Sequence, residues 1–109
     1  MESRLTFDDA GQLLCPHCGH HYLHQGTVSI YSRSEDSPTV VLTTVTPDSA
    51  EHRTQTNVTI SSNKGNPSLR RHGVVIRFNC EECPQPSELT IAQHKGTTEI
   101  GWRSTRNDA

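Results

Sequence analysis

Four cysteines in a chain of 109 residues fall into two C-x-x-C pairs with none left over: Cys15-Pro16-His17-Cys18 and Cys80-Glu81-Glu82-Cys83. Two thiols separated by two residues can both turn inward from one tight turn. A second such turn elsewhere in the chain then completes a closed tetrahedral Cys₄ site, for which Zn²⁺ is the ordinary occupant. The flanking residues suit that geometry. Pro16 fixes φ beside the first ligand and removes an N–H, while Gly19 follows the second ligand where a knuckle needs positive φ. Iron accepts four thiolates as well, so the spacing fixes the ligands more firmly than the metal.

Other uses of the cysteines fit less well. Disulfides need an oxidising compartment, and Met1 is followed by Glu-Ser-Arg-Leu-Thr-Phe-Asp-Asp, without the apolar stretch of a secretory signal. No transmembrane-length run occurs either, so the expected location is the reducing cytoplasm. A thioredoxin-like redox pair opens a helix, and neither pair precedes a helical period. The deaminase signature needs Pro-Cys-x-x-Cys downstream of His-x-Glu or Cys-x-Glu; Leu14 and Asn79 precede these pairs instead. A closed Cys₄ set leaves no position for water, so the expectation is a structural metal and no enzymatic activity.

The seven histidines raise a further possibility. His17, His20, His21 and His24 crowd the first knuckle and invite a second metal site or a ligand exchange. On an extended chain His20 and His24 share a face with Tyr22 while His21 points away, which makes three-His convergence awkward. A ring N–H oriented toward a thiolate is the alternative.

The elements that must position the cysteines read as strands. Thr, Val and Ile number 13, 7 and 5 against 4 Ala, a balance that favours β-structure. Leu, Ile, Val and Phe make up only 21 of the 109 residues, so the core is thin and a metal would add much of the folding free energy. Short strands are expected at Gln12–Leu14, Thr27–Ser32, Thr39–Thr46, Gln55–Ser61, Val74–Cys80, Glu88–His94 and Thr97–Trp102. Thr39–Thr46 is apolar on both faces and is the candidate for the most buried strand, ended by Pro47-Asp48-Ser49-Ala50. Val58 and Ile60 are expected inward, as are Leu89 and Ile91. Lys95-Gly96 reads as a hairpin turn and Ser62–Ser68 as a loop. The organisation that follows is an N-terminal arm over residues 1–11, one β domain over 12–102 and a polar tail over 103–109.

Cys15–Gly19, Gly65-Asn66-Pro67-Ser68-Leu69-Arg70-Arg71, Phe78–Cys83 and Leu89–Gly96 together resemble the zinc-ribbon group, and in particular small zinc-ribbon proteins of actinobacteria and their phages. The resemblance implies a mainly β fold in which each knuckle tips a β-hairpin over one Zn²⁺ held by Cys15, Cys18, Cys80 and Cys83. The 61 residues between the knuckles, 19–79, exceed what a minimal ribbon needs and are expected to add antiparallel strands to its sheet. No established activity comes with the family.

Two binding roles remain. Lys64, Arg70, Arg71 and, on the following strand, Arg77 are candidate contacts to nucleic acid or to a partner. Against nucleic acid, a Zn²⁺ with four thiolates would take the formal charge from −2 to −4, and none of the five aromatics adjoins the arginine pair. The preferred reading is a protein-interaction module or adaptor, with an edge strand open to self-association; a nucleic-acid-binding ribbon is the alternative.

Overall fold

A computed structural model describes residues 4–48 and 53–103. The fold is mainly β, as expected. Among the described residues it holds six strands and no helix: β1 (Leu23–Ser32), β2 (Val40–Asp48), β3 (Arg53–Ser61), β4 (Gly73–Cys80), β5 (Cys83–His94) and β6 (Thr97–Arg103). They form one antiparallel sheet in the order β3-β2-β1-β4-β5-β6. Strands β1 to β4 lie between the two cysteine pairs, so the long insertion extends the sheet rather than forming a separate layer.

Two three-stranded meanders, β1-β2-β3 and β4-β5-β6, run outward from the centre, and the segment 62–72 returns from edge strand β3 to β4. That return roofs one face of the sheet. Tyr31, Val40 and Val75 form the buried core beneath it, with Leu42 packed alongside. The roof is tied down by side chains. Asn66 Nδ2 donates to Asn63 Oδ1 and to the Arg71 carbonyl, Asn66 Oδ1 accepts from the Ser68 N–H, and Ser68 Oγ donates to the Gln93 carbonyl. Arg103, paired with Glu88, also donates to the Gly65 carbonyl. Burial under this roof pushes the Tyr31 phenol above its usual range, Arg103 pulls it back, and Glu88 adds to the rise.

Three strand expectations change. The most buried strand is not the Thr39–Thr46 run: in β2 only Val40 is fully buried, whereas β5 buries Ser87, Leu89, Thr90 and Ala92. β2 has only the edge strand β3 beyond it, and no layer of described residues covers its second face. Pro47 does not end β2, which continues to Asp48 with Pro47 opposite Thr54. β1 pairs with β2 only as far as Val45, so a residue lacking an N–H sits where the strand has a single neighbour. Val58 and Ile60 are 64 % and 71 % exposed rather than inward, because β3 is an edge and none of the described residues covers that face.

Other boundaries move for local reasons. β1 begins at Leu23 because a bulge between Gln25 and Val28, at Gly26-Thr27, lets the strand continue past a register break. β5 begins at Cys83 despite Pro84 and Pro86. On the β4 side the pairing passes from Cys80↔Cys83 to Phe78↔Ser87, so Pro84–Pro86 bulge opposite Asn79 and owe the ladder no N–H there. Gln12–Leu14 is no strand but a bridge, Phe7↔Leu13. Arg103, assigned to the tail, ends β6; residues 1–3 of the arm and 104–109 of the tail lie outside the described residues. The Lys95-Gly96 turn is as expected. Its φ values of 49° and 85° are both positive, which a two-residue hairpin of the I′ type requires.

Candidate metal centre

The sheet itself brings the two cysteine pairs together. β1 runs antiparallel to β4 with Leu23 opposite Cys80, so whatever precedes Leu23 emerges at the end of the sheet where β4 finishes. The Glu81 N–H donates to the Tyr22 carbonyl at 3.0 Å and extends that ladder past the strand ends. Cys80 closes β4, Cys83 opens β5, and the two face each other across the Glu81-Glu82 turn. The first pair sits in a turn that folds back on the N-terminal segment: Leu14 N–H donates to the Thr6 carbonyl, Cys15 N–H to His20, and Gly19 N–H to Cys15. Gly19 has φ +81°, as its place in the sequence suggested.

The four Sγ atoms lie within 4.8 Å of one another, and Cys18 Sγ is 3.5 Å from Cys80 Sγ. A tetrahedron with metal–sulfur bonds of about 2.3 Å has sulfur–sulfur edges of about 3.8 Å. The observed spacings bracket that value, and all four cysteines are free of disulfides. Each turn also turns a backbone amide onto its first sulfur. His17 N–H reaches Cys15 Sγ and Glu82 N–H reaches Cys80 Sγ, both at 3.4 Å. The same i to i+2 bond recurs in two unrelated segments.

Charge cannot accumulate on these sulfurs without compensation. At Cys15 desolvation pushes the thiol up, but the His17 and Cys18 N–H groups and the Cys18 and Cys80 thiols outweigh it and leave it below the usual thiol range. At Cys18 the His20 N–H favours the thiolate; desolvation, the Cys80 and Cys15 thiols and the charge on Cys15 overcome it and push the group up to about 12. One thiolate therefore makes the next more costly, which is the condition a bound cation relieves. The four cysteines could hold a metal ion, and the donor set fits one. Cys15 is buried, Cys80 and Cys83 are half-buried, and Cys18 is exposed, so the centre sits at the rim of the sheet.

The histidines do not gather into a second centre. His24 pairs with Glu81 beside the second knuckle, His21 Nδ1 lies 4.0 Å from Asp8 Oδ2 and its ring stacks at a tilt on Tyr22, and His17 and His20 are exposed. Among the described residues, the Cys15, Cys18, Cys80 and Cys83 set is the one grouping of His, Cys, Asp and Glu whose ligand atoms converge. The His24–Glu81 contact was not foreseen. The register sets His24 opposite Asn79, so Glu81, two residues further along, reaches it on the diagonal.

The basic candidates separate. Arg70 Nη2 pairs with Glu35 at 3.0 Å and with Asp36 at 2.5 Å, and Arg71 pairs with Glu35 at 3.0 Å. The Arg70 hydrogen bond holds the Asp36 carboxyl below the usual carboxylate range against the opposing effect of desolvation, and the positive charges of Arg70, Arg33 and Arg71 add to it. Lys64 is exposed in the roof, and Arg77 is exposed on β4 opposite Glu88.

No protein-family model matches the chain, and neither a curated protein nor a solved structure does. Among the described residues no helix is long and apolar enough to cross a membrane.

Proposed function

We propose that Cys15, Cys18, Cys80 and Cys83 hold one structural Zn²⁺, as in the zinc-ribbon proteins the sequence resembles, and that the chain is a non-enzymatic protein-interaction module. The observation that carries the reading is the convergence of four thiols from segments 61 residues apart. Zinc is the d¹⁰ ion that four thiolates hold without redox chemistry or a geometric demand of its own. Four protein ligands fill its coordination shell, which supports a structural role over catalysis. The metal would clip the N-terminal knuckle to the β4–β5 hairpin, and the thin core makes that clip important to the fold.

Protein interaction is favoured over nucleic-acid binding by the ion pairs. The two adjacent arginines, the candidate phosphate clamp, are engaged with Glu35 and Asp36, which leaves no strongly basic footprint in that loop. The test is electrophoretic mobility of duplex and single-stranded DNA and RNA at low ionic strength with zinc-loaded protein. No salt-sensitive shift is expected. A clear shift abolished by Arg70→Glu/Arg71→Glu, with zinc content and strand circular dichroism unchanged, would replace this reading with the nucleic-acid one.

A further inference from the structure

The roof covers one face of the sheet; among the described residues no such layer covers the other. Alternation along the strands and the pairing registers place Val58, Thr43, Ile30, Val74, Ile91 and Ile100 in one line across all six strands of this second face. The next position outward on each of the first two strands adds Ile60 and Val41. The line carries no charged residue. Ile30, Val58, Ile60 and Ile100 are 37 %, 64 %, 71 % and 53 % exposed, and Val41, Val74 and Ile91 are half-buried. Towards the cysteine end the face closes. The Phe78 and Trp102 rings meet edge-on at 5.8 Å, and Leu89, Ser87 and Trp102 are buried. The open part is therefore a β-branched apolar strip that begins beyond this aromatic edge and spans the width of the sheet.

We infer that this strip is the interface of a homodimer, in which two copies of the chain stack their open faces as a β-sandwich. The inference deepens the protein-interaction reading above and rests on it. Three observations favour a second copy as the occupant. An apolar sheet face needs a second layer, and the roofed side of this chain supplies only a small core of Tyr31, Val40 and Val75. The strip offers no charge for a partner to complement, whereas an identical strip, apolar and uncharged, satisfies it fully by two-fold symmetry. The size is also sufficient. With Val28, Val45 and Ile76 forming a further uncharged row beside the line, six strands at about 4.8 Å spacing and two to three residue rows give roughly 400–600 Å² of face, so two copies bury on the order of 1,000 Å², where specific interfaces begin. Stacking at about 10 Å leaves both cysteine sites outside the contact, at the sheet rim.

The competing self-association is edge to edge through β3, whose Thr54–Ser61 stretch carries no charge. Three variants separate the arrangements. Ile30→Lys/Ile100→Lys charges the strip, Ile30→Thr/Ile100→Thr makes it polar while keeping β-branched side chains, and Asn57→Lys/Thr59→Lys charges the edge on the roofed side. Light scattering and sedimentation velocity, run from micromolar to millimolar concentration on zinc-loaded protein, read the mass. Wild type and the Asn57/Thr59 variant should approach twice the 12.1 kDa chain mass, and both Ile30/Ile100 variants should fall to the chain mass with unchanged strand circular dichroism. If the lysine variant fails to fold, the threonine variant decides. Wild type that stays monomeric to millimolar concentration overturns the inference, as does a dimer lost on charging the edge but kept on charging the strip. Zinc content measured on the same samples separates the two readings: a monomer with full zinc sinks the dimer alone, and a dimer without metal sinks the zinc site alone.

Discussion

Replacing Gly73 with alanine tests the roof without touching the cysteines, because Gly73 opens β4 and Cys80 closes it. A Cβ at this position would lie 2.0 Å from Asn66 Oδ1 and 2.8 and 2.9 Å from Pro67 Cδ and Cγ. Asn66 cannot swing aside freely, since it is buried and its side chain makes the bonds to Asn63, Arg71 and Ser68 that shape the roof. Overpacking of this kind costs about 1–3 kcal/mol, and each displaced hydrogen bond about 1 kcal/mol more. Alanine regains about 0.5–1 kcal/mol over glycine within a strand. The expected net loss is about 2–3 kcal/mol, a large share of the stability of a small domain. Urea unfolding of metal-loaded protein measures it, with zinc content expected to be unchanged. Asn66→Ala removes the nearest clash, so Gly73→Ala should cost at least about 1 kcal/mol less in that background. A single variant within about 0.5 kcal/mol of wild type, or strictly additive effects, would refute the packing described for the roof.

Further outcomes follow from single features. Gly96→Ala should cost about 1 kcal/mol, because φ is +85° but nothing lies within 4 Å of the new Cβ; no change in the urea midpoint would contradict the assigned turn. Cys80→Ser should abolish cooperative unfolding, since metal binding in small domains supplies on the order of 10 kcal/mol; a near-native melting temperature would show a far stronger core. The Asp36 carboxyl is held low by Arg70, so its ion pair supports the fold above the ordinary carboxylate range and is lost as pH falls through the depressed value. Asp36→Asn should flatten that part of the acid-unfolding curve, and an unaltered curve would place the acid sensitivity elsewhere.

The site was more legible than the sheet. The C-x-x-C spacing, Gly19 and the Lys95-Gly96 turn are local signals, because they state what one short segment must do with its backbone. The β-branched run Val74–Cys80 likewise marks a strand, and β4 spans Gly73–Cys80. What remained hidden depends on neighbours distant in sequence. Val58 and Ile60 have the pattern of a buried strand, and only their place at an edge of a sheet roofed on one side exposes them. Pro47 reads as a break, yet it sits where the strand has a single neighbour, and Pro84 and Pro86 fall in a bulge where the ladder to β4 asks for no N–H. Arg70 and Arg71 formed a basic loop in the sequence, and the fold brings Glu35 and Asp36 to them from another loop.

The central claim is one metal in one Cys₄ site. It is tested most directly by elemental analysis of purified protein, paired with X-ray absorption at the edge of whichever metal is found. The account expects one zinc per chain with four sulfurs at about 2.3 Å and no nitrogen in the first shell, lost together in a Cys18→Ser/Cys83→Ser variant. Protein without stoichiometric zinc or iron that still unfolds cooperatively, or a first shell containing histidine nitrogen, would contradict it.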